Sequence, residues 1–397
     1  MKRLVIIDYN VTASSPSMKG MLRVLPELLA AGWEVTVWSH QFTSPDARIG
    51  WRRFPGIPGP GLAKFLGFSA MVHWAYWREN RRARGKGELV LWQSTGTYLM
   101  AADVVFIQFV SSFYLREMKQ RGAAVPLKER VLHGVALTME KWQRAHRRPW
   151  RQWLVVSRRL ASDLQALARP EEAFRLLPNS YDARRWNPEV REASRAAARR
   201  RLGVSEHEIV LAFVGLGSFG RKGLPLALAA CHRLVKLGLP VRLLVLGGAS
   251  EKPPDLAAYG EAGNGADLSF AIAHGRTPDI PQLLSACEGL LFPSFFEAFS
   301  LVEIEAAALG LRLYLTPHYG AEMLLEDGRN GRLLPWDAEG IAGVLAEEVR
   351  SGALRAGASF GAEALIGDEA YGQVYASHLE EAWSRKVAAA AGRAPTN

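Results

Sequence analysis

Two successive series of short apolar runs, each followed by a helix-periodic stretch, constrain this chain more than any other feature. Leu4-Val-Ile-Ile-Asp8 is an apolar run of strand length. A continuous run, as opposed to an alternating one, marks a strand buried on both faces, the condition of a parallel sheet covered by helices. Met21–Ala31 is helix-periodic and closed by Gly32, and Glu34–Trp38 reads as the next strand, completing a strand–helix–strand unit. Further strands are expected at Leu89–Gln93, Asp103–Phe109 and Gln152–Val156, with Ser157 as the N-cap of a helix over Arg158–Leu167. Pro55–Gly61 reads as a loop. A second series starts near residue 208, with strands at Ile209–Val214, Val241–Leu246, Leu268–Ile272, Gly289–Phe292 and Leu313–Thr316 and helices between them. The fold class is therefore α/β, with two doubly wound parallel sheets.

A chain of 397 residues exceeds what one core usually supports, so two domains are expected. The polar, Arg-rich stretch Asn179–Arg201 places the junction near 180–205. Residues 1–180 carry 27 Lys and Arg against 13 Asp and Glu, a net +14, and nine of the twelve tryptophans; the remainder nets −4. A basic, Trp-rich half suggests an anionic partner: nucleic acid, a phosphorylated lipid or a membrane surface. No recognised nucleic-acid motif accompanies the charge, so none is expected to bind. No window offers about 18 uninterrupted apolar residues, and the apolar run at the start is too short for a signal peptide, so a cytoplasmic protein is expected. The two cysteines, Cys231 and Cys287, sit in apolar stretches and read as small core residues.

The chemistry concentrates in Phe292-Pro-Ser-Phe-Phe-Glu297-Ala-Phe-Ser-Leu-Val-Glu-Ile-Glu305-Ala-Ala-Ala-Leu-Gly310. Ser300 and Glu303 have capping-box spacing, which starts a helix after Ser300 and assigns Glu303 to the cap. Glu297 then lies in the loop before the helix and Glu305 inside it. The helix N-terminus, with Phe299, Ser300, Leu301 and Val302, offers free N–H groups to a diphosphate. A carboxylate that accepts two vicinal hydroxyls is how proteins hold a ribose. A second segment, Phe213-Val-Gly215-Leu-Gly217-Ser-Phe-Gly220-Arg221-Lys222-Gly223, follows a strand and opens a helix; its glycines admit a phosphate to the backbone, and Arg221 and Lys222 can neutralise it. Gly215-x-Gly217-x-x-Gly220 also matches the dinucleotide fingerprint, but the next strand ends in Gly247-Gly248 with no acid, and the Gly-Lys-Ser/Thr of a Walker A loop is absent. His274-Gly275-Arg276 follows a further strand. The lone histidines His40, His73, His133, His146 and His318 carry little information.

These residues resemble the Glu-x7-Glu motif of retaining glycosyltransferases of the two-Rossmann GT-B fold, specifically glycosyltransferase family 4 (group 1). Tyr319-Gly320-Ala-Glu322 with Glu326-Asp327-Gly328-Arg329-Asn330-Gly331, and Pro178-Asn179-Ser180-Tyr181-Asp182, resemble two further family segments. The resemblance covers about residues 150–340. It implies two Rossmann-like domains facing each other across a cleft: 1–180 on the acceptor side, 181–370 holding the donor, and 371–397 as a closing helix, expected over Asp368–Trp383, that packs back on the first domain and ends in a flexible tail. It implies sugar transfer with retention from a nucleoside-diphosphate donor, of UDP or GDP type, to a glycan or lipid-linked acceptor, in cell-envelope polysaccharide or glycolipid synthesis, with no cofactor and no obligatory metal. Glu297 would orient the sugar, Arg221 and Lys222 the leaving diphosphate, Glu305 the ribose, and His274–Arg276 the base. The first half departs from the family: Asn10–Gly20 lacks the usual Gly-Gly pair, and Gln108 stands where many relatives have histidine. Strand-end acceptor candidates are Asp8, Asn10, Ser94, Thr95 and Gln108. An inactive sugar- or lipid-binding scaffold, or an epimerase or phosphorylase on the same fold, is the alternative. The clusters Trp74–Lys86 and Lys141–Arg151 add the expectation of peripheral docking at the inner face of an anionic membrane.

Overall fold

The computed structural model describes residues 2–12, 15, 18–146, 148–168, 171–259, 267–361 and 364–392, with Lys19 by its backbone alone. The chain divides into two compact units: residues 1–179 with 368–397, and residues 180–367.

The first unit contains strands β1 (Lys2–Ile7), β2 (Asn10–Val11), β3 (Trp33–Ser39), β4 (Gln41–Phe42), β5 (Gly50–Arg53), β6 (Leu91–Thr95), β7 (Val104–Ile107), β8 (Gln152–Val155) and β9 (Ala173–Leu176). Seven form one parallel sheet in the order β5-β3-β1-β6-β7-β8-β9, while β2 and β4 pair separately. Its helices are α1 (Lys19–Ala30), α2 (Gly61–Gly85), α3 (Ser111–Gln120), α4 (Leu127–Ala145) and α5 (Arg158–Gln165). The second unit contains α6 (Pro188–Leu202), β10 (Ile209–Gly215), α7 (Leu224–Lys236), β11 (Val241–Gly247), β12 (Ala271–His274), α8 (Ile280–Leu284), β13 (Gly289–Phe292), α9 (Leu301–Ala308), β14 (Arg312–Leu315), α10 (Ala321–Leu324), β15 (Gly331–Leu333) and α11 (Ala338–Arg350). Its parallel sheet runs β12-β11-β10-β13-β14-β15. The central strands β10 and β13 are buried along their whole length, which is why their sequences are apolar without alternation. Cys231 and Cys287 are buried, and burial pushes the Cys231 thiol up to about 12.

The final helix, α12 (Asp368–Ala390), belongs to the first unit and outruns the expected Asp368–Trp383. It is fixed by polar bonds. Tyr375 Oη donates to Gln93 Oε1 at 2.8 Å, Gln152 Nε2 donates to the His378 carbonyl at 2.9 Å, and Lys386 Nζ donates to the Val90 carbonyl at 2.6 Å. Lys386 also meets Asp103, which accepts from Trp92 N at 2.9 Å, Trp150 Nε1 at 2.8 Å and Arg148 Nη1 at 3.1 Å. Burial alone would raise the Asp103 carboxyl, but Lys386 and Arg148 outweigh it and hold it low.

Several local expectations shift. The strand expected at Leu268–Ile272 lies at Ala271–His274 and is only half-buried. The Arg-rich stretch read as a junction contains α6, capped by Asn187 Oδ1, which accepts from Val190 N at 2.8 Å, and ended by left-handed Gly203. The first series also contains β5, β9 and the 25-residue α2, none of them marked by periodicity. Ser157 holds the N-cap position of α5, but its buried hydroxyl makes no cap bond.

Candidate functional site

Three segments of the second unit meet at the carboxyl edge of its sheet: the loop after β10, the loop between β13 and α9, and the loop after β14. The first must turn sharply. Ser218 has φ 52°, and Gly223 has φ 83°. A Cβ on Gly223 would stand 2.0 Å from the Pro293 carbonyl oxygen, so glycine alone lets the first loop touch the second.

That approach brings both cations to Glu297. Lys222 Nζ lies 2.9 Å from Glu297 Oε1 and Arg221 Nη1 3.1 Å from the same oxygen, with Ser294 Oγ at 3.3 Å. Arg221 also donates to the Phe296 carbonyl, and Lys222 Nζ sits 4.8 Å from the centre of the Phe292 ring. Burial pushes the Glu297 carboxyl up, yet Lys222 and then Arg221 outweigh it and hold it at about 2. Glu297 is therefore an anion at any physiological pH, and two cations stand beside it, so the cluster carries one net positive charge.

The predicted capping box does not form. Ser300 occupies the N-cap position without a side-chain cap bond, and Glu303 is fully buried. Its Oε1 stands 3.2 Å from His318 Nε2, which is equally buried, and His318 Nδ1 lies 3.0 Å from the Tyr319 carbonyl oxygen. Glu303 points inward because an imidazole on the loop after β14 stands where solvent would be. Sequence reasoning did not bring Ser294, Glu303 and His318 into this cluster; a single sequence carries no sign that a residue of α9 pairs with one fifteen positions on, in the loop after β14.

Phe299 and Val302 are buried, Ser300 is 6% exposed, and Leu301 and Glu305 are part-exposed at the start and middle of α9. Gly215 and Gly217 lie at the end of β10 and just beyond it, where a Cβ on Gly215 would meet Phe219 and Lys222. His274 ends β12 with Nδ1 3.1 Å from the Gly275 carbonyl oxygen; Gly275 is buried against the Glu251 carbonyl, and exposed Arg276 donates its N–H to Ser250 O at 2.8 Å. The end of the strand beside β10 is the left-handed pair Gly247-Gly248, with no acid to hold a dinucleotide ribose.

In the first unit the strand-end candidates separate. Asp8 is 7% exposed, its Oδ1 accepts from Asn10 N at 3.0 Å, and burial raises its carboxyl to about 6 against the Asn10 and Thr95 bonds that lower it. The Asn10 side-chain oxygen is buried with no hydrogen-bond partner among the described residues. Ser94 is fully buried and its Oγ accepts from Leu99 N at 3.0 Å, a turn-holding contact; Thr95 Oγ1 faces the Met18 sulfur at 3.7 Å. Gln108 Nε2 donates to Asn179 Oδ1 at 2.9 Å, away from that cluster. Residues 13, 14, 16 and 17 of the first loop lie outside the described residues. His40, His73 and His133 bond to Phe54 O, to Met100 N and to Ser111 Oγ.

Two parallel α/β units, one with cations and a carboxylate at its strand ends, place charge where open α/β sheets bind ligands. Residues 208–349 match the family described as glycosyl transferases group 1. The chain is 25% identical over 258 residues to lipopolysaccharide glucosyltransferase WaaG of Escherichia coli, covering 64% of this chain and 65% of that enzyme. It is 33% identical over 177 residues to D-inositol 3-phosphate glycosyltransferase of Segniliparus rotundus, covering 42% and 39%. These matches span less than two thirds of either relative's own length. The crystal structure of WaaG, a glycosyltransferase involved in lipopolysaccharide biosynthesis, aligns with a TM-score of 0.69 at 19% identity over 95% of each chain. Sucrose-phosphate synthase from Thermosynechococcus elongatus gives 0.73 at 17% identity, over 97% of this chain and 100% of that one. Anabaena HepE, in complex with UDP and glucose, gives 0.64 at 16% identity, over 96% and 100%. The segment that matches the group 1 family lies in the second unit, and the fold of the chain is GT-B.

Proposed function

We propose that the chain transfers a sugar from a nucleoside-diphosphate donor to a glycan or lipid-linked acceptor, with retention of configuration. The observation that carries this reading is the Arg221–Glu297–Lys222 cluster beside the N-terminus of α9. In this reaction the bond between the anomeric carbon and the diphosphate oxygen breaks. The acceptor hydroxyl attacks from the same face, and its proton passes to the departing phosphate oxygen. Charge therefore accumulates on the diphosphate, where Arg221, Lys222 and the free N–H groups of α9 stabilise it; such preorganised electrostatics is usually the largest catalytic contribution. Glu297 holds the sugar hydroxyls and Glu305 the ribose. HepE, crystallised with UDP and with UDP-glucose, supports a UDP-type donor, and WaaG supports a cell-envelope acceptor.

The test separates sugar from nucleotide. A thermal-shift screen against UDP, GDP, ADP and dTDP identifies the base, and a donor-hydrolysis assay distinguishes an enzyme from an inert scaffold. Glu297→Gln is expected to depress turnover with nucleoside-diphosphate affinity nearly intact. Glu305→Ala is expected to weaken nucleotide binding roughly 10- to 150-fold, the scale of one hydrogen bond to a charged group. Unchanged nucleotide affinity in Glu305→Ala removes its ribose role.

The first unit is proposed to dock on an anionic membrane. Trp74, Trp77 and Trp142 are 58%, 56% and 65% exposed, with Arg78 over Trp74 and Arg81 over Trp77. Helices α2 and α4 flank an apolar cavity of about 470 Å³ lined in part by Leu66, Ala70, Val135, Met139 and Trp142. The Lys141–Arg151 cluster contributes less than its sequence promised. Arg148 and Trp150 turn inward to Asp103, Arg151 is fully buried on backbone carbonyls, and Arg147 lies outside the described residues. No helix among the described residues is long and apolar enough to cross a membrane.

A further inference from the structure

Behind Glu297 lies a titratable pair that the proposed reaction does not use. The Glu303 and His318 side chains are both 0% exposed and 3.2 Å apart, and neither Glu303 oxygen has a hydrogen-bond donor of good geometry among the described residues. The ring stands edge-on to Phe292, the residue whose own face meets Lys222. The two residues thus sit against the same strand end that carries the diphosphate-type cations. A buried carboxylate with one partner is costly unless that partner carries a proton.

We propose that Glu303 and His318 act as one proton-holding unit that sets the net charge of the diphosphate end of the donor site. They are positioning residues, acting through Glu297, Arg221 and Lys222 rather than on substrate. With one proton shared, the pair is neutral, and Arg221, Lys222 and Glu297 leave the cluster one positive charge. When the proton is lost, the pair becomes an anion, the cluster nets zero, and the diphosphate loses the attraction of one net charge. Coupled groups of this kind titrate as a pair, so it does not matter which partner carries the proton. The directions agree. Burial alone would lower the imidazole, but Glu303 outweighs it and raises it; burial raises Glu303 against the opposing pull of His318. Glu297 and Lys222 also act on the pair, and Glu305 and Glu322, on α9 and α10, are the neighbouring acids along the chain.

This inference rests on the donor reading of the site, and its test keeps the two apart. In the ligand-free protein, nitrogen chemical shifts of labelled histidine, assigned by difference with His318→Gln, report the ring. The His318 signal is expected to keep its proton above the ordinary histidine value of 6.5, and to lose that elevation in Glu303→Gln. Calorimetry then follows UDP, inorganic pyrophosphate and uridine across the same titration. Affinity for both anions is expected to fall about threefold to tenfold as the proton leaves, the scale of one charge acting over roughly 10 Å in a partly screened setting. Uridine should show no such limb, and the limb should vanish in the double variant Glu303→Gln/His318→Gln. Ionisation of the anions themselves acts in the opposite direction. Flat anion affinity across the ring's titration, or the same limb in the double variant, overturns the proposal; the wild-type series decides the first point even if the variants fail to fold. UDP that fails to bind at any pH, while pyrophosphate shows the limb, overturns the donor reading and supports this one.

Discussion

Each sheet has a knot of buried charge at its amino edge, and among the described residues only the second has a charged cluster at its carboxyl edge. In the first unit Asp103, just before β7, gathers Trp92, Arg148, Trp150 and Lys386. In the second, Glu288, just before β13, accepts from Val210 N at 2.6 Å and pairs with Arg199 and Arg195. The carboxylates of both knots take their partners from inside the fold. At the carboxyl edges the units part: the second places Arg221, Lys222, Glu297, Glu303 and His318 together, while the first offers Asp8 with uncharged Asn10, Ser94 and Thr95. Strand carboxyl ends are where open α/β sheets bind ligands. The difference teaches that buried charge by itself does not mark a site; its edge of the sheet does.

The largest expected effect breaks a knot. Asp103→Ala leaves Lys386 and Arg148 without their anion and should cost about 3–5 kcal/mol of unfolding free energy in a denaturant titration. Glu297→Gln in the same assay should cost far less; equal losses would erase the distinction between the edges. Next, replacing Arg221 and Lys222 together by alanine should weaken diphosphate binding roughly 150-fold or more, two charge-assisted bonds' worth, and spare the bare nucleoside. A parallel fall in both, by calorimetry, would make this edge structural too. A smaller effect tests Asp8. Its folded carboxyl, raised to about 6 from 3.8, takes up a proton more readily than the unfolded one. The stability it contributes is therefore fully present below about pH 4 and lost as pH rises through about 6, a loss of about 2–3 kcal/mol. Asp8→Asn should flatten that part of the stability–pH curve, and a wild-type curve already flat there would show that Asp8 is solvated. Smallest is the membrane contact. Arg78→Gln and Arg81→Gln should each reduce sedimentation with anionic vesicles about fivefold, one basic residue's share, with further loss as salt rises. Equal binding to neutral vesicles removes the idea.

The legibility of the sequence follows burial. β10 and β13 were readable because strands covered on both faces are apolar throughout. β12 is half-buried at the sheet's edge, so its pattern is weak and its expected position slipped toward the chain's start. α6 hid behind its arginines, although Asn187-Pro188 before it and Gly203 after it were start and stop signals. The Glu-x7-Glu spacing pointed to the loop where Arg221 and Lys222 meet Glu297, whereas Glu303 carried a convincing capping signature and is instead a buried acid. Local pattern cannot report a partner fifteen residues away in another loop. The first unit's carboxyl edge was least legible, because short polar side chains there serve turns such as Ser94 with Leu99 as readily as ligands.

The return of α12 has a consequence for synthesis. Asp103, Gln93 and the Val90 carbonyl belong to strands made early, but Tyr375 and Lys386 complete them only after the whole second unit has been made. The second unit can close as soon as residue 367 clears the ribosome. The first must wait, its β6–β7 edge open, through roughly 200 further residues at about 5–20 residues per second. The half translated first is thus the half finished last: it stays incomplete for about ten seconds or more, and over the last roughly 20 residues, about 1–5 s, the second unit can already be folded while the first is not.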